Sequence, residues 1–249
     1  MITIKSQREI DLMREAGRIV AETHQLLEES LHPGMSTLEM DIIAEKFIRS
    51  CNAIPSFKNY NGFPGSICAS INEVVVHGIP SSEIIIHEGD IISFDVGAIL
   101  DGYHGDAART VACGKISDDL QKLIDVTKES FFKGIEQAVI GNRLSDISHA
   151  VQTYAESFGY GVVRDFCGHG IGTHMHEEPQ IPNYGHPGHG PRLKKGMCLA
   201  IEPMINMGTY EVEVLDDGWT TVTLDGQPAC HYENTIAVTD NGPVILTAL

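Results

Sequence analysis

Residues 90–114 read DIISFDVGAILDGYHGDAARTVACG, and this stretch decides the fold. Two apolar, β-rich runs flank Asp101-Gly102, a dipeptide that favours the left-handed backbone of a tight hairpin turn. A turn centred there sets position 106 opposite 97, and residue 95 shares a face with 97 two places along its strand. Asp95 and Asp106 therefore become diagonal neighbours pointing the same way. Asp95 interrupts an apolar run, where an uncompensated carboxylate costs on the order of several kcal/mol. Two such groups side by side repel unless cations sit between them, and divalent metal is the natural remedy. Taken alone, the pair is equally well explained by a salt bridge to Arg109 or by a solvent-facing strand.

On the N-terminal side, Ile10, Met13, Ala16 or Gly17, Val20 and Leu27 recur at helical steps across residues 7–30, and His32-Pro33-Gly34 ends the run. Ser36 followed by Glu39 reads as a capping box that opens a second helix to about Cys51, with Leu38, Ile42 or Ile43, and Phe47 on its inner face. The segments SICASIN and EVVVHGI are strands before the hairpin. On its C-terminal side the helical pattern returns from Ser117 through Leu120, Leu123, Ile124, Phe131, Ile135 and Val139. Ser145 then caps another helix to about Phe158, and strands follow. GMSTLEMDIIAEKF loosely echoes GNRLSDISHAVQTYAESF, which points to an internal duplication. The expectation is an α+β chain of two pseudo-symmetric α/β units, roughly 1–114 and 115–249, forming a single domain with a cleft between the strand sets.

Three more polar residues stand in apolar surroundings: His169 in FCGHGIGTHMHEEPQ, Glu202 in CLAIEPMI and Glu233 in ACHYENTIAV. With the two aspartates they make an oxygen-rich set of one histidine and four carboxylates, suited to a pair of divalent ions such as Mn, Fe, Co or Zn. Four negative charges balance two dications. His231 lies two residues before Glu233, so strand alternation turns both to one face and makes it a candidate supporting group. His24, His32, His87, His149, His186 and His189 read as structural.

Composition excludes several classes. A net charge of −17 leaves no broad phosphate-binding surface, and Arg192, Lys194 and Lys195 read as a solvated loop edge. No apolar run reaches membrane-spanning length, and the N-terminus turns charged before a signal-peptide core could form. The expected location is the cytoplasm, with no membrane partner and no specific nucleic acid. Six cysteines occur without a CxxC pair, which argues for reduced thiols and against a disulfide framework.

The segments SINEVVVHGIP, DVGAILDGYHGDAARTV, CGHGIGTHMHEEPQI, AIEPMI and HYENTIAVT resemble, in order and across nearly the whole chain, the motifs of the type I methionine aminopeptidases. The ligand separations of 11, 33 and 31 residues agree, and the 26 positions from His176 to Glu202 leave no room for the insertion of the type II enzymes. The resemblance implies the pita-bread fold around a central antiparallel sheet. It implies that Asp95 chelates one metal, that His169 and Glu202 bind the other, and that Asp106 and Glu233 bridge, with Co, Mn, Fe, Zn or Ni as candidate ions. A monovalent cation is a further candidate. A metal-bridging hydroxide would attack the scissile carbonyl, with Glu202 as proton shuttle. His176 would bond the scissile carbonyl oxygen, and His77 would contact the scissile nitrogen or the next residue.

Phe57, Tyr60, Phe63, Cys68, Met175 and Trp219 match the lining of the methionine pocket, although aromatic and Met residues also simply fill cores. Phe57 stands where the bacterial enzymes often carry cysteine, and Met175 where they commonly carry phenylalanine. The implied activity is removal of the initiator methionine from nascent chains whose second residue is small, by a monomer. Docking at the ribosome, which relatives achieve through basic surface, is left open by the acidic charge. The rivals are an Xaa-Pro peptidase of the same fold and a non-catalytic binding protein.

Overall fold

The computed structural model describes all 249 residues. Four helices are present: α1 (Gln7–Ser30), α2 (Thr37–Ser50), α3 (Asp118–Ile135) and α4 (Leu144–Glu156). The hairpin forms in the expected register, with strand Ile91–Leu100 antiparallel to Tyr103–Ala112 and Gly97 opposite Asp106. Asp101 (φ 50°) and Gly102 (φ 82°) supply the left-handed turn. Strands Ile67–Ile71 and Ile54–Pro55 complete this four-stranded sheet.

Strand alternation divides the hairpin between two environments. Ile92, Phe94, Val96 and Ala98 enter a core with Ile19, Val20 and Leu27 of α1 and Met40, Ala44 and Ile48 of α2. Ser93, Asp95 and Gly97 consequently face the other way. A second core repeats the arrangement: Phe131 and Ile135 of α3 and Leu144 and Ile147 of α4 pack on Leu199, Ile201, Ile236 and Val238. Those residues belong to a five-stranded sheet ordered Gly242–Ile245, Asn234–Thr239, Cys198–Ile201, Gly168–Gly170, Glu177–Ile181. Two three-stranded sheets finish the fold, and every strand pairing is antiparallel.

The Ser36–Glu39 capping box is present, with the Ser36 N–H donating to Glu39 Oε2 at 2.7 Å and the Glu39 N–H to Ser36 Oγ at 3.2 Å. Three helical expectations need correction. The fully buried stripe of α2 is Met40, Ala44 and Ile48; of the expected positions Ile43 and Phe47 pack half-buried against the same core, whereas Ile42 is exposed. Asp41 explains the rotation, because its buried carboxylate accepts the Ser66 and Ile67 N–H groups at 2.6 and 3.0 Å and draws its own side of the helix inward. The third helix stops at Ile135, before Val139. Ser145 is not the cap of α4: the helix starts at Leu144, Asp146 accepts the Arg143 N–H at 2.7 Å, and Ser145 Oγ accepts the His189 N–H at 2.7 Å. All six cysteines are free thiols, and no helix is long and apolar enough to cross a membrane.

Candidate metal centre and pocket

Register carries the carboxylates together. Asp95 lies between Cys68 on one neighbouring strand and Ala108 on the other. Ala108 in turn exchanges backbone hydrogen bonds with Glu233, at 3.0 and 3.3 Å, which joins the hairpin to the second half of the chain. Asn234 pairs with Ile201, so extending that ladder by one residue sets Glu233 opposite Glu202. Asp106 is pinned beside this row by Thr235, whose Oγ1 accepts the Asp106 N–H at 3.1 Å and whose hydroxyl donates to Asp106 O at 2.9 Å. His169 pairs with Ala200, two residues before Glu202, and so reaches the same face.

His169 Nε2 lies 3.6 Å from both Asp106 Oδ2 and Glu202 Oε1. Its Nδ1–H donates to Gly170 O at 2.8 Å, which leaves a lone pair on Nε2 facing the carboxylates. Asp106, His169 and Glu233 offer atoms close enough to share one ion, and Glu202, His231 and Glu233 form a second such group. Buried Asp95 Oδ1, Asp106 Oδ1, Glu233 Oε1 and His231 Nε2 find no hydrogen-bond partner in the protein. Each such orphan costs about 1–3 kcal/mol or more. Oxygen-rich donors with free lone pairs, plus one imidazole, are the chemistry that divalent ions satisfy.

Charge points the same way. Burial raises Asp106 to about 7 and pushes Asp95, Glu202 and Glu233 well above the usual carboxylate range, with mutual repulsion adding to the effect for the last three. Burial holds His169 and His77 down to about 4, and His176 too, where the neighbouring His169 adds. The salt-bridge explanation for Asp95 and Asp106 does not hold. Arg109 turns to the opposite side of the hairpin, donates to the carbonyl oxygens of Ala108 and Glu233 and to Asn234 Oδ1, and stacks on Tyr232 with 4.5 Å to the ring centre.

The cluster opens on a pocket of about 180 Å³ whose lining contains the five expected ligands, His77, His176 and the six expected pocket residues, plus Asn61, whereas His231 lies outside that lining. Phe57, Phe63, Cys68 and Met175 form a buried apolar group, with Tyr60 and Trp219 packed against it. Phe63 and Trp219 meet edge to face at 5.2 Å. The Tyr60 hydroxyl lies 2.8 Å from His176 Nδ1, and the His176 and His169 rings are 4.3 Å apart. His77 follows strand Val74–Val76 at φ 60°, and its ring meets Phe166 and Trp219 edge to face. Gly97 is required by the pocket wall, since a Cβ there would lie 2.8 Å from Phe57 Cε1 and from Ser56 Cβ.

Sequence reasoning missed Asn61, an exposed residue at φ 50° in the short turn Tyr60–Gly62 that adds to the pocket lining. It placed His231 correctly on the Glu233 face, and the structure brings its Nε2 within 3.7 Å of Glu202 Oε2. His24, read as structural, is buried with Nε2 2.8 Å from Ala107 O.

Comparison with known proteins agrees with this geometry. The model of metallopeptidase family M24 matches residues 11–240. A methionine aminopeptidase of Clostridium acetobutylicum is 64% identical over 247 residues, 99% of this chain and 99% of the relative. The crystal structure of a methionine aminopeptidase from Thermotoga maritima superposes with a TM-score of 0.98 at 44% identity, covering 100% of both chains. A prolidase from Pyrococcus furiosus superposes at 0.79 and 22% identity, covering 99% of this chain and 65% of that one, a likeness of fold alone. The architecture is thus the pita-bread fold of helices and antiparallel sheets common to those proteins. A match along nearly its whole length, with relatives at these identities, establishes that this chain belongs to metallopeptidase family M24, on its methionine aminopeptidase branch.

Proposed function

We propose that the chain hydrolyses the bond after an N-terminal methionine in new polypeptides whose second residue is small, using two divalent ions. The observation that carries this reading is the meeting of four carboxylates and His169 at one pocket that is partly walled by apolar side chains and lined by no Lys or Arg. Asp95 would hold one ion, His169 and Glu202 the other, and Asp106 and Glu233 both; Co, Mn, Fe, Zn and Ni suit this donor set. When bound, such ions acidify water and polarise a carbonyl oxygen.

The remaining work falls to the chain's own side chains. The Phe57, Phe63, Cys68 and Met175 group would take up the flexible thioether, whose sulfur gains about 0.3–1.5 kcal/mol from each aromatic contact. With the Tyr60 hydroxyl donating to Nδ1, neutral His176 carries its proton on Nε2 and can donate it to the scissile carbonyl oxygen. His77, beside Trp219, would border the second residue of the substrate and limit its size. Glu202, whose burial favours the protonated carboxyl, would hold the proton taken from the attacking water and pass it to the departing amine.

Metal-stripped protein reconstituted with Co²⁺ or Mn²⁺ tests this on Met-Ala-Ser, Met-Leu-Ser and Ala-Pro peptides. Methionine release from the first, slow release from the second and none from the third is expected. No release of methionine with any divalent ion removes the reading, and preference for Ala-Pro replaces it with an Xaa-Pro peptidase.

A further inference from the structure

His231 ends strand Ala229–His231, two residues before Glu233, and its ring is 2% exposed. One hydroxyl clamps its backbone: the His231 N–H donates to Thr110 Oγ1 at 2.9 Å, and the Thr110 hydroxyl donates to His231 O at 3.0 Å. Ser93 Oγ supports that hydroxyl at 2.8 Å. The ring is therefore aimed by rigid strands on both sides. Its Nε2, buried and without a hydrogen-bond partner, lies 3.7 Å from Glu202 Oε2 and 4.0 Å from Glu233 Oε2.

Two histidines thus flank Glu202, His169 near Oε1 and His231 near Oε2, but they are not equivalent. His169 gives its Nδ1 proton to the Gly170 carbonyl, so its Nε2 presents a lone pair, the form a metal ligand needs. His231 hydrogen-bonds only through its backbone, so no carbonyl commits its proton to Nδ1. Its Nε2 faces two carboxylates that can only accept when ionised, and the tautomer that satisfies them carries the proton on Nε2. The terminal torsion of Glu202 is soft, and a small rotation brings Oε2 to hydrogen-bond length.

We infer that His231 is a positioning residue of the metal centre: its Nε2–H donates to Glu202 Oε2 and so keeps Oε1 turned toward the side of His169. The inference rests on the two-ion reading above. It gives Glu202 the outer hydrogen bond that ligating carboxylates commonly have, a contact whose loss costs about 10–100-fold in metal affinity.

Calorimetric titration of metal-free wild type, His231→Leu and His231→Gln with Mn²⁺, together with the visible absorption of the Co²⁺ forms, tests it. Glutamine keeps an N–H donor and leucine removes it. The expected result is an affinity loss of about 10–100-fold in His231→Leu, recovery of most of that loss in His231→Gln, and a Co²⁺ spectrum of His231→Gln matching wild type. Circular dichroism of both metal-free variants establishes that they are folded. Wild-type affinity in His231→Leu overturns the inference. So does a His231→Gln variant as weak as His231→Leu with an altered Co²⁺ spectrum, which would make His231 a direct ligand. Failure of the wild type itself to bind Mn²⁺ or Co²⁺ is a separate result, and it sinks the two-ion reading instead.

Discussion

Asp106→Asn is expected to make the metal-free protein more stable at neutral pH while abolishing activity. Asp106 is 3% exposed, and burial raises its pKa from 3.8 to about 7. That difference of about 3 units, at about 1.36 kcal/mol per unit, places the cost of ionising the group in the folded state at about 4 kcal/mol, an upper bound. A folded-state pKa above the unfolded one means that the protonated group's contribution is fully present below about pH 4 and lost as pH rises through about 7. The amide cannot ionise, so the variant escapes that loss. Its advantage should be small at pH 4, grow between about pH 4 and 7, and then level off. The buried histidines are common to both proteins and largely cancel in the difference. At about 2–4 °C per kcal/mol for a chain of this length, the metal-free variant should melt several degrees above wild type at pH 8. Saturating Mn²⁺ should reverse the order, because two ions, each at about 100 times its Kd, together add about 5.4 kcal/mol to the protein that binds them. The assay is thermal and urea unfolding of chelator-treated proteins across pH 4–8, repeated with metal. A metal-free variant no more stable than wild type at pH 8, or an advantage independent of pH, refutes the claim that ionised carboxylates strain this site.

Lys5→Met should cost about 3–5 kcal/mol, because it leaves Glu177 without the buried ammonium that lies 2.6 Å from its Oε2. Burial opposes ionisation of Glu177, but the hydrogen bonds from Lys5 and Thr3 prevail and hold it below its ordinary value, so this contribution is present at neutral pH and fades in acid. Glu177 also accepts the His174 N–H at 3.3 Å and closes the loop that carries Met175 and His176, so kcat/KM should fall with stability; an unchanged melting temperature would deny the pair its role. Gly97→Ala drives a methyl against Phe57 and Ser56 and should raise KM for Met-Ala-Ser more than it lowers kcat, at a stability cost of about 1–3 kcal/mol. Peptide kinetics check this, and an unaltered KM would show that Phe57 does not shape the pocket.

Much of the hairpin was legible because its signals are local. Asp101-Gly102 dictates the turn, the turn dictates the register, and the period of two then sends Asp95 and Asp106 to one face. The α1 stripe and the Ser36–Glu39 box lie within one helix and were equally readable. The inner face of α2 was only partly readable: Ile43 and Phe47 do pack on the core, but which side is fully buried depends on the amides of Ser66 and Ile67, which are distant in sequence. The start of α4 was obscured because Ser145 is a good cap by composition, yet its hydroxyl is taken by the His189 N–H across a loop.

The chain by itself determined the hairpin, the helical periods and, through its resemblance to a known family, which residues to watch, because these depend on backbone preference and neighbours a few positions away. Only the tertiary structure decided that Glu233 and Glu202 stand in one row with Asp95, that Arg109 is taken up by Asn234 and the Glu233 carbonyl, and that His231 points at Glu202. Those facts require ladders between strands far apart in sequence. Each strand's face is set by which side its apolar residues bury, and no local pattern records which strand will lie beside it.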